Sequence, residues 1–328
     1  MTKLYPLLFE PVLKDYLWGG RNLAKLGRAL PPDGVIAESW EIAAHADGAT
    51  LALNGPYAGK ALTEIQAELG LALIGTRSGW AQKRGKFPLL IKLLDAAQPL
   101  SVQVHPHDDY ALEHEGNELG KTEMWVVLDA RPGAELILGV KAGTTRERFR
   151  DALLAGQAEP LLHRVPVRVG DHLCVPAGTV HAIMDGLLIA EIQQNSNTTY
   201  RVFDWGRVGA DGKPRALHID KALDVIDFAV VEPTVCPPGL IAHEGGCARY
   251  LLCRNRYFVT ERVDLAPAAA YQGRCDGSTV EIWGVIAGEA RVGGEPLESV
   301  RFALLPAAMG DFTVTTSRGA TLLRSYVE

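Results

Sequence analysis

The residues spaced for chemistry in this 328-residue chain lie between Lys92 and Arg201. In Leu100-Ser101-Val102-Gln103-Val104-His105-Pro106-His107, extended backbone puts Ser101, Gln103 and His105 on one face and Val102 and Val104 on the other. Two nitrogen or oxygen donors at i and i+2 suit a metal ion, although a lone histidine is more often a hydrogen-bonded structural residue. His107 keeps the same period, but Pro106 breaks the strand before it, so Gln103 ranks above it as a ligand. A second histidine is carried by Gly170-x5-Pro176-x-Gly178-x2-His181. That stretch reads as a strand that turns at Gly170-Asp171, bends at Pro176-Ala177-Gly178 and presents His181 on the way back. Taken with His181 and Glu123, His105 reads as a ligand rather than a structural residue.

The elements that must position these residues are mostly strands. Candidates are Leu89 to Leu94, Leu100 to His105, Met124 to Leu128, Glu135 to Leu138, Val165 to Val169, His172 to Val175 and Leu188 to Gln193, separated by Gly, Pro and Asp. Helical signals are few: a capping box at Thr144-Thr145-Arg146-Glu147 with Gly156 as terminator, a segment from Thr63 to Leu73, and Ile219 to Phe228 with Asp220 as its cap. The 34 glycines and 19 prolines agree with many turns and short strands. The expected fold is mainly β, two jelly-roll sheets with a few short helices. Val231 to Gly239 holds three prolines, which cannot donate to a ladder, so it reads as a crossover between a first domain at 1–230 and a second at 231–328.

Composition narrows the function. The net charge of −6 and the lack of a Lys/Arg run argue against nucleic acid as a partner, and no stretch of about 18 apolar residues suggests a membrane span. The cysteines Cys174, Cys236, Cys247, Cys253 and Cys275 form no C-x-x-C and no even set, so they are expected as reduced thiols in a cytoplasmic protein. Gly116-Asn117-Glu118-Leu119-Gly120-Lys121-Thr122 imitates a phosphate-binding loop but is one residue short, with Glu115 where the glycine belongs and a strand in place of the helix. Lys121 therefore needs another role.

The Gly170 to His181 stretch resembles the second motif of the cupin superfamily, G-x5-P-x-G-x2-H-x3-N, except that Asp185 stands at the final position. More specifically, Trp18-Gly19-Gly20, Glu38-Ser39-Trp40-Glu41, Phe87 to Lys92, Leu100 to Pro106, Gly120 to Trp125 and Thr199 to Trp205 resemble segments of type I phosphomannose isomerases in their short bacterial form. The likeness runs from about residue 5 to the C-terminus. It implies a zinc-dependent cupin that interconverts mannose 6-phosphate and fructose 6-phosphate, with one Zn2+ held by Gln103, His105, Glu123 and His181, and with Arg201 as the catalytic arginine. Such a donor set leaves coordination positions open for water or substrate, and its mixed nitrogen and oxygen character would also accept Fe(II), Mn or Co. The 18 positions from His105 to Glu123 exceed the usual spacing of a first cupin motif, and Asp185 bears on hydrogen bonding around the site.

Moving a carbonyl between C1 and C2 passes through a cis-enediol, whose oxygens need fixed positive charge. Arg201 alternates with Tyr200 and Val202 and carries a permanent charge suited to that task. Glu191 shares a strand face with Ile189 and Gln193 and is the candidate base; its residue type equally suits a salt bridge to Arg201 or a lysine. Ser101, Lys92 and Lys121 flank the ligands and are expected to contact the phosphorylated hexose. In the second domain Leu304 to Gly310 echoes the first proline bend, yet Asp311 stands where the histidine would, so a degenerate cupin-like sheet without a histidine cluster is expected there. The competing functions are another cupin chemistry, acting on a related sugar phosphate or as an iron oxygenase, and a silent sugar-binding cupin. A monomer or a homodimer is compatible with the sequence.

Overall fold

Runs in which apolar residues alternate with polar ones between glycine and proline signals form strands, and their pairing makes two sandwiches. The computed structural model describes residues 3–209 and 212–328. In the first sandwich a six-stranded sheet runs in the order His172–Val175, Glu123–Ala130, Leu187–Gln194, Leu89–Ala96, Glu38–Ile42, Val12–Lys14. It faces a five-stranded sheet ordered Leu162–Pro166, Glu135–Val140, His181–Ile183, Val102–Val104, Tyr200–Phe203. Leu94, Trp125, Val127, Leu136, Ile183 and Ile189 fill the space between them. The mainly β double jelly roll is thus as expected.

The second sandwich pairs a sheet that includes Cys247–Arg254, Val259–Leu265, Ala320–Tyr326, Glu281–Gly288 and Arg301–Leu305 with a four-stranded sheet around Gly310–Thr315. Trp283, Val285, Leu305, Phe312 and Leu322 form its interior. The two large sheets pack back to back, joining Ile91, Leu93, Met124, Val126 and Ile192 to Phe258, Ile282, Phe302, Leu304 and Leu323. Leu89–Ala96 is consequently buried along its whole length and reads as a nearly continuous apolar run, interrupted by Lys92 and Asp95. The strand Leu7–Glu10 adds to the second sandwich, with Leu7 opposite Leu304, before the chain enters the first. Residues 232 to 238 carry neither helix nor strand, in keeping with their prolines.

Local details differ from the expectations in physically simple ways. Thr145, not Thr144, caps Arg146–Leu154, its hydroxyl accepting the Arg148 N–H at 3.2 Å. The segment from Thr63 breaks at Gly70, which has φ +52°, into Leu62–Leu69 and Leu71–Ile74. The third helix is Ile219–Val225, with His218 rather than Asp220 at its N-cap. One expectation is overturned: Cys174 and Cys253 form a disulfide, Cα to Cα 5.8 Å, leaving Cys236, Cys247 and Cys275 as thiols. Spacing could not show this, because the partners lie 79 residues apart and meet only where His172–Val175 packs on Cys247–Arg254.

Candidate metal centre and active site

Strand alternation aims the polar residues of the first sandwich inward at one end. On Leu187–Gln194, Leu188, Ala190 and Ile192 join the core between the sandwiches, which turns Glu191 and Gln193 to the inner face. The same parity turns Glu123 and Trp125 inward opposite Met124 and Val126, and Lys92 inward opposite Ile91 and Leu93. Pairing sets these in a row, with Trp40 opposite Lys92, Lys92 opposite Glu191, and Glu191 opposite Trp125. On the facing sheet Gln103 lies between His181 and Arg201. Gly178 closes the turn ahead of His181 at φ +86°, where a Cβ would stand 2.9 Å from the Val225 carbonyl. Its N–H donates to the His105 carbonyl at 2.9 Å, so the proline-glycine bend that delivers one histidine also holds the other.

Among the described residues, one group of His, Cys, Asp and Glu donors converges closely enough for a metal: His105, Glu123 and His181, all buried, with donor atoms within 4.8 Å of one another. Each imidazole gives its Nδ1–H to a carbonyl, His105 to Thr198 at 2.8 Å and His181 to Thr179 at 2.9 Å. A carbonyl only accepts, so both Nε2 atoms carry lone pairs directed at the cluster. Burial pushes His105 down to about 3, with the Lys121 ammonium acting in the same direction, and burial lowers His181 too. His105 Nε2 has no hydrogen-bond partner in spite of complete burial. Gln103 Nε2 lies 3.3 Å from His181 Nε2, while its Oε1 accepts from Ser101 Oγ at 3.2 Å. Turning that amide would aim Oε1 at the cluster and Nε2–H at the Ser101 oxygen, so both ends stay satisfied.

The charges around the cluster also fit a cation. Lys121 Nζ sits 2.8 Å from Glu123 Oε1. Although burial works against it, that ammonium holds Glu123 well below the ordinary carboxylate range. Lys92, with 2% exposure, lies between Glu38 at 3.4 Å and Glu191 at 3.5 Å. When Glu191 is ionised, three buried carboxylates face two buried ammoniums and two neutral imidazoles, an excess of one negative charge that a divalent ion reverses. Burial, reinforced by Glu123, raises Glu191 to about 7, and its Oε1 accepts no hydrogen bond. Its Oε2 accepts from Trp125 Nε1 at 3.2 Å.

Glu38, Lys92, Gln103, Lys121, His181 and Glu191 line a cavity of about 270 Å³ together with Arg201, which is half-buried. Arg201 Nε donates to Ser101 Oγ at 3.2 Å and its Nη1 to the Ala216 carbonyl at 3.1 Å. All nine expected site residues are therefore brought to one place, although His107 is not: it precedes Asp108–His114 and its ring lies beside Gly178. Lys121 belongs to the cluster, which disposes of the phosphate-loop likeness. Asp185 pairs with Arg131 at the surface instead of with any ligand, so the departure from the motif stays outside the site. Sequence reasoning missed Glu38, whose carboxylate takes Trp40 Nε1 at 2.6 Å and meets Lys92. The signal was available, because Glu38-x-Trp40, Glu123-x-Trp125 and Glu281-x-Trp283 each fold the indole back on a carboxylate two residues earlier. Arg215 and His218 at the mouth had no such signal; their stretch shows no periodicity.

Two packed antiparallel sandwiches with one buried His, Glu and His cluster in the first define a double jelly roll of the cupin kind, and the solved relatives agree. A crystal structure of the mannose 6-phosphate isomerase from Bacillus subtilis superposes with a TM-score of 0.86 at 34% identity, covering 98% of this chain and 99% of that one. The family model for the phosphomannose isomerase type I catalytic domain matches residues 7–124. The mannose-6-phosphate isomerase ManA of Bacillus subtilis is 40% identical over 313 residues, 94% of this chain and 95% of that one. GmuF of the same organism, a probable mannose-6-phosphate isomerase, is 38% identical over 315 residues, 94% and 96% of the two chains. The chain belongs to the type I phosphomannose isomerase family.

Proposed function

We propose that this chain is a metal-dependent aldose-ketose isomerase that interconverts mannose 6-phosphate and fructose 6-phosphate. The observation that carries the reading is the buried Glu191 carboxylate, with an oxygen free of hydrogen bonds, in a cavity that Arg201 and His181 also line. The donors Gln103, His105, Glu123 and His181 suit one Zn2+ per chain, which when bound supplies a Lewis acid for oxygens that gain negative charge. Every other part of the chemistry rests on this chain's own side chains.

Glu191 takes the proton from C2 of the open-chain aldose and returns it to C1 of the cis-enediol, giving the ketose; the hydroxyl proton moves from O2 to O1 in the same sequence. A carboxyl group raised to about 7 is matched to both halves of that transfer near neutral pH. Arg201 cannot act as a base and instead stabilises the enediolate. Ser101 holds the guanidinium through its Oγ, and Lys92 and Lys121 present ammonium groups to the sugar phosphate from the cavity floor. The division of labour follows the chain, with 1–230 carrying catalysis and 231–328 supporting it. Because every residue named comes from one chain, a monomer or a homodimer serves. No helix among the described residues is long and apolar enough to cross a membrane. The cytoplasm is the proposed location, since a phosphorylated hexose cannot cross a bilayer unaided.

The test is a coupled assay of metal-reconstituted protein with mannose 6-phosphate, beside glucose 6-phosphate and unphosphorylated mannose. Conversion is expected with mannose 6-phosphate alone. Metal-loaded protein that converts none of them is a sugar-binding module.

A further inference from the structure

Gln193, Gln194, Asn195 and Ser196 form a run of four polar residues with 0% exposure each, across the end of the strand that carries Glu191. Burying four polar side chains is costly unless each is hydrogen-bonded for a purpose. Gln193 Nε2 donates to two carbonyls, Gln194 at 2.7 Å and Ser196 at 2.6 Å, and so clamps the turn that leaves the strand. Ser196 Oγ then accepts the Thr198 N–H at 3.3 Å. The Thr198 carbonyl accepts from His105 Nδ1 at 2.8 Å. The path from Gln193 to the imidazole is thus unbroken, and its last bond sets both the tautomer and the direction of the Nε2 lone pair. By contrast, the Asn195 amide donates to the Ala44 carbonyl at 3.0 Å, away from the cluster.

We infer that Gln193 is a positioning residue for the metal centre, which holds His105 in its ligating orientation through the turn 194–198. The inference rests on the proposed metal-dependent reading and deepens it. Gln193 touches neither substrate nor metal in this role. Its amide fixes two carbonyls, which fixes the peptide planes of the turn, which fixes the Thr198 oxygen that the imidazole must meet. Without the clamp, the turn and the His105 ring gain freedom that metal binding must remove.

The test compares Zn2+ affinity, measured by competition with a chromogenic chelator, in wild type, Gln193→Met and Asn195→Ala. Methionine keeps the volume of glutamine and removes the donors. Gln193→Met is expected to bind Zn2+ at least tenfold more weakly, in the range of about 10- to 100-fold for groups that orient a ligand. Asn195→Ala is expected to stay within twofold of wild type while it lowers the melting temperature. Zn2+ affinity in Gln193→Met within twofold of wild type overturns the role, as does an equal loss in Asn195→Ala, which would show general softening. Should Gln193→Met not fold, Ser196→Ala removes the next bond and is read against the same limits. Wild type that binds no Zn2+ removes the metal reading itself, whereas equal affinities remove only Gln193.

Discussion

The two sandwiches carry the same polar row with its charges exchanged. In the first, neighbouring strands place Lys92 beside Glu191 and Glu191 beside Trp125, with Glu123 two residues before the indole. In the second, the corresponding strands place Glu261 beside Arg324 and Arg324 beside Trp283, with Glu281 two residues before it. The proline bend after Val175 has its counterpart after Leu305, as Val175 pairs with Glu123 and Leu305 with Glu281. What differs is saturation. Arg324 meets Glu281 at 2.8 and 2.5 Å and Glu261 at 3.5 Å, and Arg249 grips Glu261 at 3.0 and 2.9 Å. Tyr326 and Trp283 donate to the same two carboxylates. In the first sandwich single ammoniums stand in for the guanidiniums, Lys121 at 2.8 Å from Glu123 Oε1 and Lys92 at 3.5 Å from Glu191 Oε1, while His105 Nε2 and Glu191 Oε1 accept no hydrogen bond. The closed network satisfies its own charges; the open one, at the same place in the fold, is the candidate site.

The largest effect expected from this contrast concerns the open cluster. A chelator should abolish turnover, with added Zn2+ restoring it, and full activity in metal-free protein would end the comparison at once. Next, Glu191→Gln should lower kcat about 10³-fold and Arg201→Ala about 10²-fold, each with metal content per chain unchanged by elemental analysis. If either variant turned over at the wild-type rate, its assigned role would be lost.

The closed cluster should behave in reverse. Arg324→Met leaves Glu281 without a cation in the core, while Glu261 keeps Arg249, and should destabilise the protein by about 3 to 5 kcal/mol in denaturant titrations, leaving kcat/KM within twofold. A large fall in kcat/KM at full folding would mean that the second row serves the reaction after all.

The two clusters should also answer pH in opposite senses. Glu261 is held below its ordinary range, against burial, by Arg249 and Arg324. Its contribution to stability is therefore complete above an unfolded value of about 4.5 and is lost as pH falls through the lower folded value. Glu191, raised to about 7 by burial, keeps a proton that the unfolded chain releases, so stability falls as pH rises from about 4.5 to about 7. In metal-free protein this loss is on the order of 3 kcal/mol, and Glu191→Gln should flatten it. An unchanged stability profile in that variant would contradict the raised value. The smallest effect concerns the tie between the sandwiches: Cys174→Ser should cost about 2 kcal/mol, seen as a lower melting temperature that reductant imposes on wild type alone.

Much of the site was legible because its residues sit on strands, where a period of two converts position into direction. Ser101, Gln103 and His105 could be assigned to one face, and Glu191 set apart from Ala190 and Ile192, before any contact was known. Cap positions were less legible: Thr144 and Thr145 are chemically alike, and the choice depends on backbone dihedrals. Arg215 and Glu38 escaped for different reasons, the first because irregular backbone has no period and the second because its signature repeats in a sandwich without a metal cluster.

The sequence by itself determined which residues can ligate, titrate or carry permanent charge, and which side of each strand they take, since these follow from side-chain chemistry and the pleat. Only the tertiary structure decided what they became. Glu123 and Glu281 stand in the same local pattern and are indistinguishable there. Long-range pairing gives Glu281 a guanidinium that satisfies it, and gives Glu123 two imidazole lone pairs and an ammonium that leave room for a cation. The same holds for Cys174 and Cys253, whose bond required two sheets to pack before either thiol had a neighbour.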